Sequence, residues 1–205
     1  MTDSDPEETT EEAIMRATYR ALSKHGYPAL SISKIDEEFE KSKALLYHHY
    51  EDKEDLLEHF LKYLLDQLDQ DLASIETSDP VEDLRAILDR LLPPDIDEEQ
   101  MGFQRALLEI RSQAPHNDDF DRQIRRSDEL VLSELTSVIE RGIESGQFQD
   151  IDADDTAEFL YTTAYGVIER GTSLEDRAIM SRGRRYIDEY IESSVLSSSA
   201  SRSDD

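Results

Sequence analysis

Between Asp52 and Leu72 one set of leucines recurs at Leu57, Leu61, Leu64, Leu68 and Leu72. Steps of four and three residues reach one face only if the backbone is an α-helix. Asp52, with Asp55 three residues later, resembles a capping box and starts the helix. The same periodicity recurs along the chain. The period-two alternation of β-branched residues that marks strands is absent. The expected fold is therefore all-α, with about nine helices and no internal repeat.

Punctuation residues place the other helices. Residues 1–9 are expected to be disordered. Thr10, Glu12 and Ala13 offer a start for a helix carrying Ile14, Ala17, Thr18, Ala21 and Leu22. Gly26 ends it, because glycine takes the left-handed C′ position without cost. Ser31 is a good N-cap for a second helix to about Phe39, whose stripe is Ile32, Ile35 and Phe39. A third helix is predicted over about 42–49, with Leu46 and Tyr50 as its apolar side. Two short helices separated by a turn at Glu40–Ser42 form the helix-turn-helix pattern, whose second helix enters the DNA major groove. The long Leu-striped helix follows, to about residue 74. Asp79-Pro80 starts the next helix, which Pro93-Pro94 stops. Further helices are predicted over 98–113, over 121–145 with Gly146 as cap, from Asp152–Asp155 to Gly171, and over 174–195. The expected organisation is a disordered 1–9, a DNA-binding head at 10–55, a regulatory and dimerisation body at 75–195, and a disordered tail at 196–205.

Charge argues in two directions. Forty-nine acids against 22 bases give a net charge of −27, which by itself speaks against a nucleic-acid binder. The six lysines (24, 34, 41, 43, 53 and 62) nevertheless all lie in the window 24–62, with four of the five histidines. From Tyr63 onward every cation is arginine, and 34 acids face 14 of them. The acid excess elsewhere fits either solvated helix faces or, as the sharper expectation, adaptation to high internal salt, where dense carboxylates keep a protein soluble. No apolar run approaches the roughly 18 residues of a membrane helix, and the acidic N-terminus does not fit a signal peptide, so a cytoplasmic location is expected. There is no cysteine. His48 and His49 are adjacent, and neighbours on a helix diverge, so no metal site is expected. Carboxylate pairs occur without a Ser/His/Asp set or a phosphate loop. Neither an enzyme nor a cofactor is expected.

Duplex binding needs donors that hold phosphates and side chains that reach base edges. Ser31 and Ser42 stand at predicted helix starts, with Ser33 and Lys34 in the first turn after Ser31. Lys34 is poorly placed for an isolated helix, which a nearby phosphate or plain solvation would explain. Lys41 can reach a phosphate. Lys43, Ala44, Leu45 and His48 are predicted to face the groove, where lysine donates to guanine and leucine packs on a thymine methyl.

The stretch from Ile14 to Leu57 resembles the head of the TetR family of transcription regulators. The resemblance rests on His25-Gly26-Tyr27, Ser31-Ile32, Ile35, Ser42-Lys43, Leu46-Tyr47-His48-His49-Tyr50, Lys53-Glu54 and Leu56-Leu57. It implies phosphate contacts from Tyr47 and Lys53. The chain departs from the family pattern at Glu40 (turn glycine), Lys41 (valine), Ala44 (glycine) and Leu45 (threonine), so sequence preference does not transfer. Glu140 to Phe148 and the helix after it resemble the BetI-type C-terminal domain. The resemblance implies a homodimer that binds a palindromic operator on double-stranded DNA, most often as a repressor, and is released by a small molecule. The expected effector pocket includes Phe103, Leu107, Arg111, Tyr161 and Tyr165, with core packing as the competing explanation for each. The expected dimer interface includes Leu135, Ile139, Gly142, Phe159, Thr163, Gly166 and Val167, with Gly171 also permitting close helix approach. The alternative is an acidic helical protein-interaction module, which offers no reason to confine lysines to residues 24–62.

Overall fold

Local side-chain caps start most of the helices. In the structure, a computed structural model that describes residues 9–39, 43–75 and 77–197, Thr9 and Glu12 form a reciprocal capping box at 2.8 and 3.1 Å. This opens α1 (Thr10–Ala29) and makes Thr9 part of the helix start rather than of a disordered leader. Gly26 breaks α1 at φ +69, at the predicted position. Ser31 caps α2 (Ile32–Glu37) through the Lys34 N–H. After α3 (Lys43–His49), Asp52 accepts the Asp55 N–H at 2.9 Å and opens α4 (Lys53–Ala73). The Asp55 carboxylate takes the Glu51 N–H, one residue further back than a capping box would place it. Asp79 caps α5 (Pro80–Leu91), and Asp97 with Gln100 boxes α6 (Glu98–Arg111).

Three boundaries differ from expectation, each for a local reason. α7 (Asp118–Glu144) starts three residues before Asp121, because Asn117 accepts the N–H groups of Asp119 and Phe120. α8 (Ala153–Ser173) does not stop at Gly171. That glycine is buried, and a Cβ there would lie 2.4 Å from Met180 Cγ, so it serves helix packing and not termination. α9 (Arg177–Tyr190) begins at its Asp176 cap instead of Leu174. It ends in one π-helical turn, Ile191–Val195.

The described residues hold nine α-helices and a short 3-10 turn at Ala114–His116, and the single extended pairing among them is the bridge between Phe148 and Leu196. The all-α expectation holds. The tail predicted to be disordered from 196 is held at its start. Leu196 is buried, Gln149 N–H donates to Val195 O, and Ser197 N–H donates to Gln147 O, both at 2.8 Å. Residues 198–205 lie outside the described residues. No described helix is long and apolar enough to cross a membrane.

The chain divides into two compact units that do not follow its order. The first comprises 1–65 and 97–124, the second 66–96 and 125–205. This differs from the expected boundary near 75, because α6 belongs with α1. Gly102 explains why. A Cβ there would lie 2.2 Å from the Ser23 carbonyl oxygen, so only glycine lets the two helix backbones approach so closely. Ile14, Leu22, Ile35, Leu46, Leu57 and Phe60 fill the first core, joined from α6 by Ala106 and Ile110. Each large side chain there contributes roughly 1.5–3 kcal/mol.

In the second unit Leu84, Leu88, Leu135, Ile139 and Leu160 are fully buried. Leu135 and Ile139 therefore form protomer core and cannot form a dimer surface, contrary to expectation. Gly142 is likewise internal, since a Cβ there would lie 2.1 Å from the Phe148 ring. Val167 is half-buried against Gly183. Phe159 is 46% exposed, Thr163 half-buried, and Gly166 has open space where a Cβ would stand.

Candidate nucleic-acid interface

α2 and α3 are held by one apolar seam. Ile35 and Leu46 are fully buried, Phe39 and Tyr50 nearly so, so the other faces of these two helices point outward. On α2 the outward side chains are Ser31, Ser33 and the half-exposed Lys34. The Ser31 hydroxyl accepts the Lys34 N–H at 3.3 Å. A helix of only six residues carries little macrodipole, so Ser31 offers a hydroxyl and a fixed turn more than a charged helix end. On α3, Ala44, Tyr47, His48 and His49 are exposed, Tyr47 by 56%. The rings of His48 and His49 stand edge to face, 5.6 Å apart. His49, which was not among the predicted contacts, shares that exposure; its place in the lysine- and histidine-rich window was the available clue.

Leu45 is a partial correction. It is half-buried and packs against the core of the first unit, so less of its side chain is available to a base than an outward position would give. Lys41 and Ser42, with the turn at Glu40, lie outside the described residues. Lys43 opens α3, and its side chain is likewise outside them.

Two other lysines of the window, Lys24 and Lys53, have partners. Lys24 Nζ donates to Glu38 Oε1 at 2.8 Å, and an Arg20 guanidinium N–H donates to Glu38 O at 2.6 Å. These two bonds tie α1 to the end of α2, and the lysine holds the Glu38 carboxyl below its ordinary value. Lys53 sits with Nζ 4.4 Å from the Tyr27 ring centroid and 3.5 Å from Glu54. Its ammonium therefore begins from a cation–π seat, a contact worth about 0.5–1 kcal/mol at an exposed site. Tyr27 is itself fixed by its backbone N–H, which donates to Glu109 Oε2 at 2.8 Å. Sequence reading gave no sign of this last bond, because its partners are 82 positions apart.

Of the expected pocket residues, Phe103 and Leu107 pack on the first core, with the Phe103 ring 4.3 Å from Tyr19 and 6.1 Å from Phe60. Arg111 ends α6 in the same unit. Tyr161 and Tyr165 are half-buried on α8 in the second unit, and the Tyr161 hydroxyl donates to Asp128 at 2.6 Å.

The arrangement is a short helix with an outward face, on a head braced by buried leucines. Residues 14–60 match the family described as bacterial regulatory proteins of the tetR family, and residues 80–196 match the BetI-type transcriptional repressor C-terminal family. The chain belongs to the TetR family. Its members are DNA-binding regulators and not enzymes. A TetR transcription regulator from Haloarcula marismortui is 39% identical, with a TM-score of 0.82 over 91% of this chain and 98% of that one. The HTH-type transcriptional repressor AcnR of Corynebacterium glutamicum is 26% identical over 168 residues, 81% of this chain and 84% of its own. A putative transcriptional regulator from Saccharomonospora viridis, solved in complex with choline, shares the fold at 20% identity, with a TM-score of 0.79 over 91% of this chain and 97% of that one. In this TetR-family chain the two matched stretches do not coincide with the two compact units, because 97–124 lies in the second match and in the first unit.

Proposed function

We propose that this chain is a ligand-responsive repressor that binds a palindromic operator as a homodimer, with α3 in the major groove. The observation that carries the reading is the exposed face Ala44–Tyr47–His48 on a helix whose opposite side, Leu46 and Tyr50, is anchored in the core. Ser31, Ser33, Lys34, Lys41, Ser42 and Tyr47 supply phosphate contacts; Lys43, Ala44, Leu45 and His48 read bases. Lys53 leaves the Tyr27 ring for a phosphate or holds the ring in place beside it.

The dimer face lies on α8 and α9, where exposed Phe159 stacks on Tyr190 at 4.4 Å and Thr163 and Gly166 continue the same helix side. A small-molecule effector bound in the body favours a conformation whose head spacing no longer fits the groove, so effector and DNA binding oppose each other through one coupling energy. The choline bound by the Saccharomonospora viridis protein makes small organic ions a sensible first panel. The net charge of −27 and the likeness to the Haloarcula marismortui protein support a cytoplasm of high salt as the working environment. There the Debye length is about 3 Å at molar salt, so binding rests on close contacts and shape fit.

In vitro selection of bound duplexes at several KCl concentrations tests the reading. It should enrich a palindrome with half-site centres about one helical turn, roughly 34–36 Å, or a multiple of it apart. Enrichment of no palindrome at any salt concentration would sink it.

A further inference from the structure

In the second unit the end of α4, the middle of α5 and the C-terminal half of α7 line a cavity of about 240 Å³. That is the liquid volume of about eight water molecules at ~30 Å³ each, enough for a small organic molecule. Leu72, Ile75, Ile87 and Val138 form an apolar wall. Asp83, Glu134, Ser137 and Arg141 form a polar one.

The two carboxylates in that wall differ. Asp83 is fully buried and saturated: it accepts the Thr77 N–H at 3.0 Å, the Thr77 hydroxyl at 2.7 Å and an Arg141 guanidinium N–H at 2.7 Å. Its charge and that of Arg141 cancel. Glu134 is half-buried, and no other described residue hydrogen-bonds to it or pairs with it. The cavity thus carries one uncompensated negative charge, and burying a carboxylate beneath a ligand is costly unless the ligand brings a matching cation and N–H donors. Arg141 uses two of its nitrogens, on Asp83 and, at 3.4 Å, on Thr77 O. Its remaining N–H groups, and the hydroxyl of the exposed Ser137, are free to donate to an acceptor placed in the cavity. Glu134, Ser137 and Arg141 fall at i, i+3 and i+7 on α7, so they share one side of the helix over a rise of about 10 Å. A ligand meeting both ends must be elongated. No aromatic ring is among the lining residues, and without rings a quaternary ammonium has nothing to replace its hydration.

We infer that this cavity binds a small elongated monocation: a primary ammonium on Glu134, a short apolar body on Val138 and Ile87, and an uncharged acceptor such as an amide carbonyl toward Arg141 and Ser137. This rests on the effector reading above and names the effector's chemical class. A carboxylate in place of the neutral acceptor would leave the assembled site negatively charged, whereas the monocation brings it to neutrality.

Isothermal titration of the full chain with N-acetylputrescine, butylamine and tetramethylammonium tests the inference. Operator binding of the same preparation is measured separately. N-acetylputrescine should bind saturably at one site per chain, and Glu134→Gln, shown folded by its helical circular dichroism, should weaken it about tenfold or more, as expected for a hydrogen bond to a charged group. Butylamine should bind more weakly for want of the acceptor, and tetramethylammonium should not compete. Three results would each overturn the assignment: no saturable N-acetylputrescine binding by a chain that still binds its operator, unchanged binding by Glu134→Gln, or tetramethylammonium competing equally well. A chain that binds N-acetylputrescine in a Glu134-dependent way but no operator would uphold the cavity and count against the repressor reading instead.

Discussion

The Glu109 carboxylate accepts the Tyr27 backbone N–H at 2.8 Å, and the same oxygen lies 2.9 Å from where a Cβ on Gly26 would stand. The helix break in α1 is thus satisfied by a side chain from α6, and the break and its cap are fitted to each other. Glu109→Ala leaves that N–H without its partner and should destabilise the first unit by about 1–3 kcal/mol. Gly26→Ala should cost about 1–3 kcal/mol, because φ +69 with ψ 169 is a backbone region essentially reserved for glycine, before any displacement of Glu109. Because both changes act on one contact, the double variant should fall short of the sum. Urea denaturation of the four proteins measures this, and strict additivity would mean that the carboxylate does not support the break.

Tyr50 closes the seam between α3 and the core, and burial, with smaller contributions from Glu11 and Asp55, pushes its hydroxyl up to about 12 from 10.0. The folded state therefore holds the phenolic proton more tightly than the unfolded chain. That stability is present in full below pH 10 and is lost as pH rises from about 10 to about 12, amounting to at most about 2–3 kcal/mol by linkage. Thermal unfolding between pH 8 and 12 should show a steeper alkaline loss for the native chain than for Tyr50→Phe. Parallel curves would remove Tyr50 as the cause.

What the sequence disclosed was what is decided within a few residues. Ser31, Asp79 and Asp152 cap helices because each acts on an N–H two or three positions away, and Gly26 breaks α1 because its own φ requires glycine. The inner and outer sides of α3 were legible for the same reason, since Leu46 and Tyr50 fix its inner side and leave Tyr47 and His48 outside. Contacts across long separations were not legible. Gly102 reads as an ordinary helix glycine until Ser23 is placed against it, and only that approach assigns α6 to the first unit. Apolar periodicity also cannot tell core from interface: Leu135 and Ile139 carry the right stripe for a dimer face and are buried inside the protomer.

The proposed DNA-binding face has residues assigned to grip phosphates and residues assigned to read bases, and salt separates the two. Lys34→Ala should lower affinity on every duplex alike and reduce the slope of log K against log salt by about 0.9, the contribution of one phosphate. Tyr47→Phe should weaken binding uniformly with little change in slope, because its hydroxyl carries no charge. Ala44 and His48 variants should instead change which duplexes are selected. Fluorescence anisotropy across a KCl series gives both quantities. A changed base preference on Lys34→Ala would move that lysine from the backbone to the bases.

Phe159 and Gly166 test the proposed dimer face without disturbing the core. Phe159 is 46% exposed and its ring packs tilted on Tyr190 with centroids 4.4 Å apart, while a Cβ on Gly166 meets nothing within 4 Å inside the protomer. Within a single chain, Gly166→Ala should therefore be neutral or stabilising by about 0.5–1 kcal/mol, the ordinary gain of alanine over glycine inside a helix. If α8 meets its symmetry mate closely at Gly166, the same methyl group stands in the way and dissociation of the dimer increases. Phe159→Asp places a charge in a surface that must lose its water and should weaken the dimer by about 2 kcal/mol or more, the loss typical of a buried aromatic anchor. Sedimentation velocity, read beside helical circular dichroism, distinguishes a lost interface from a lost fold. Two folded variants that dimerise as tightly as the native chain would place the interface elsewhere on the second unit.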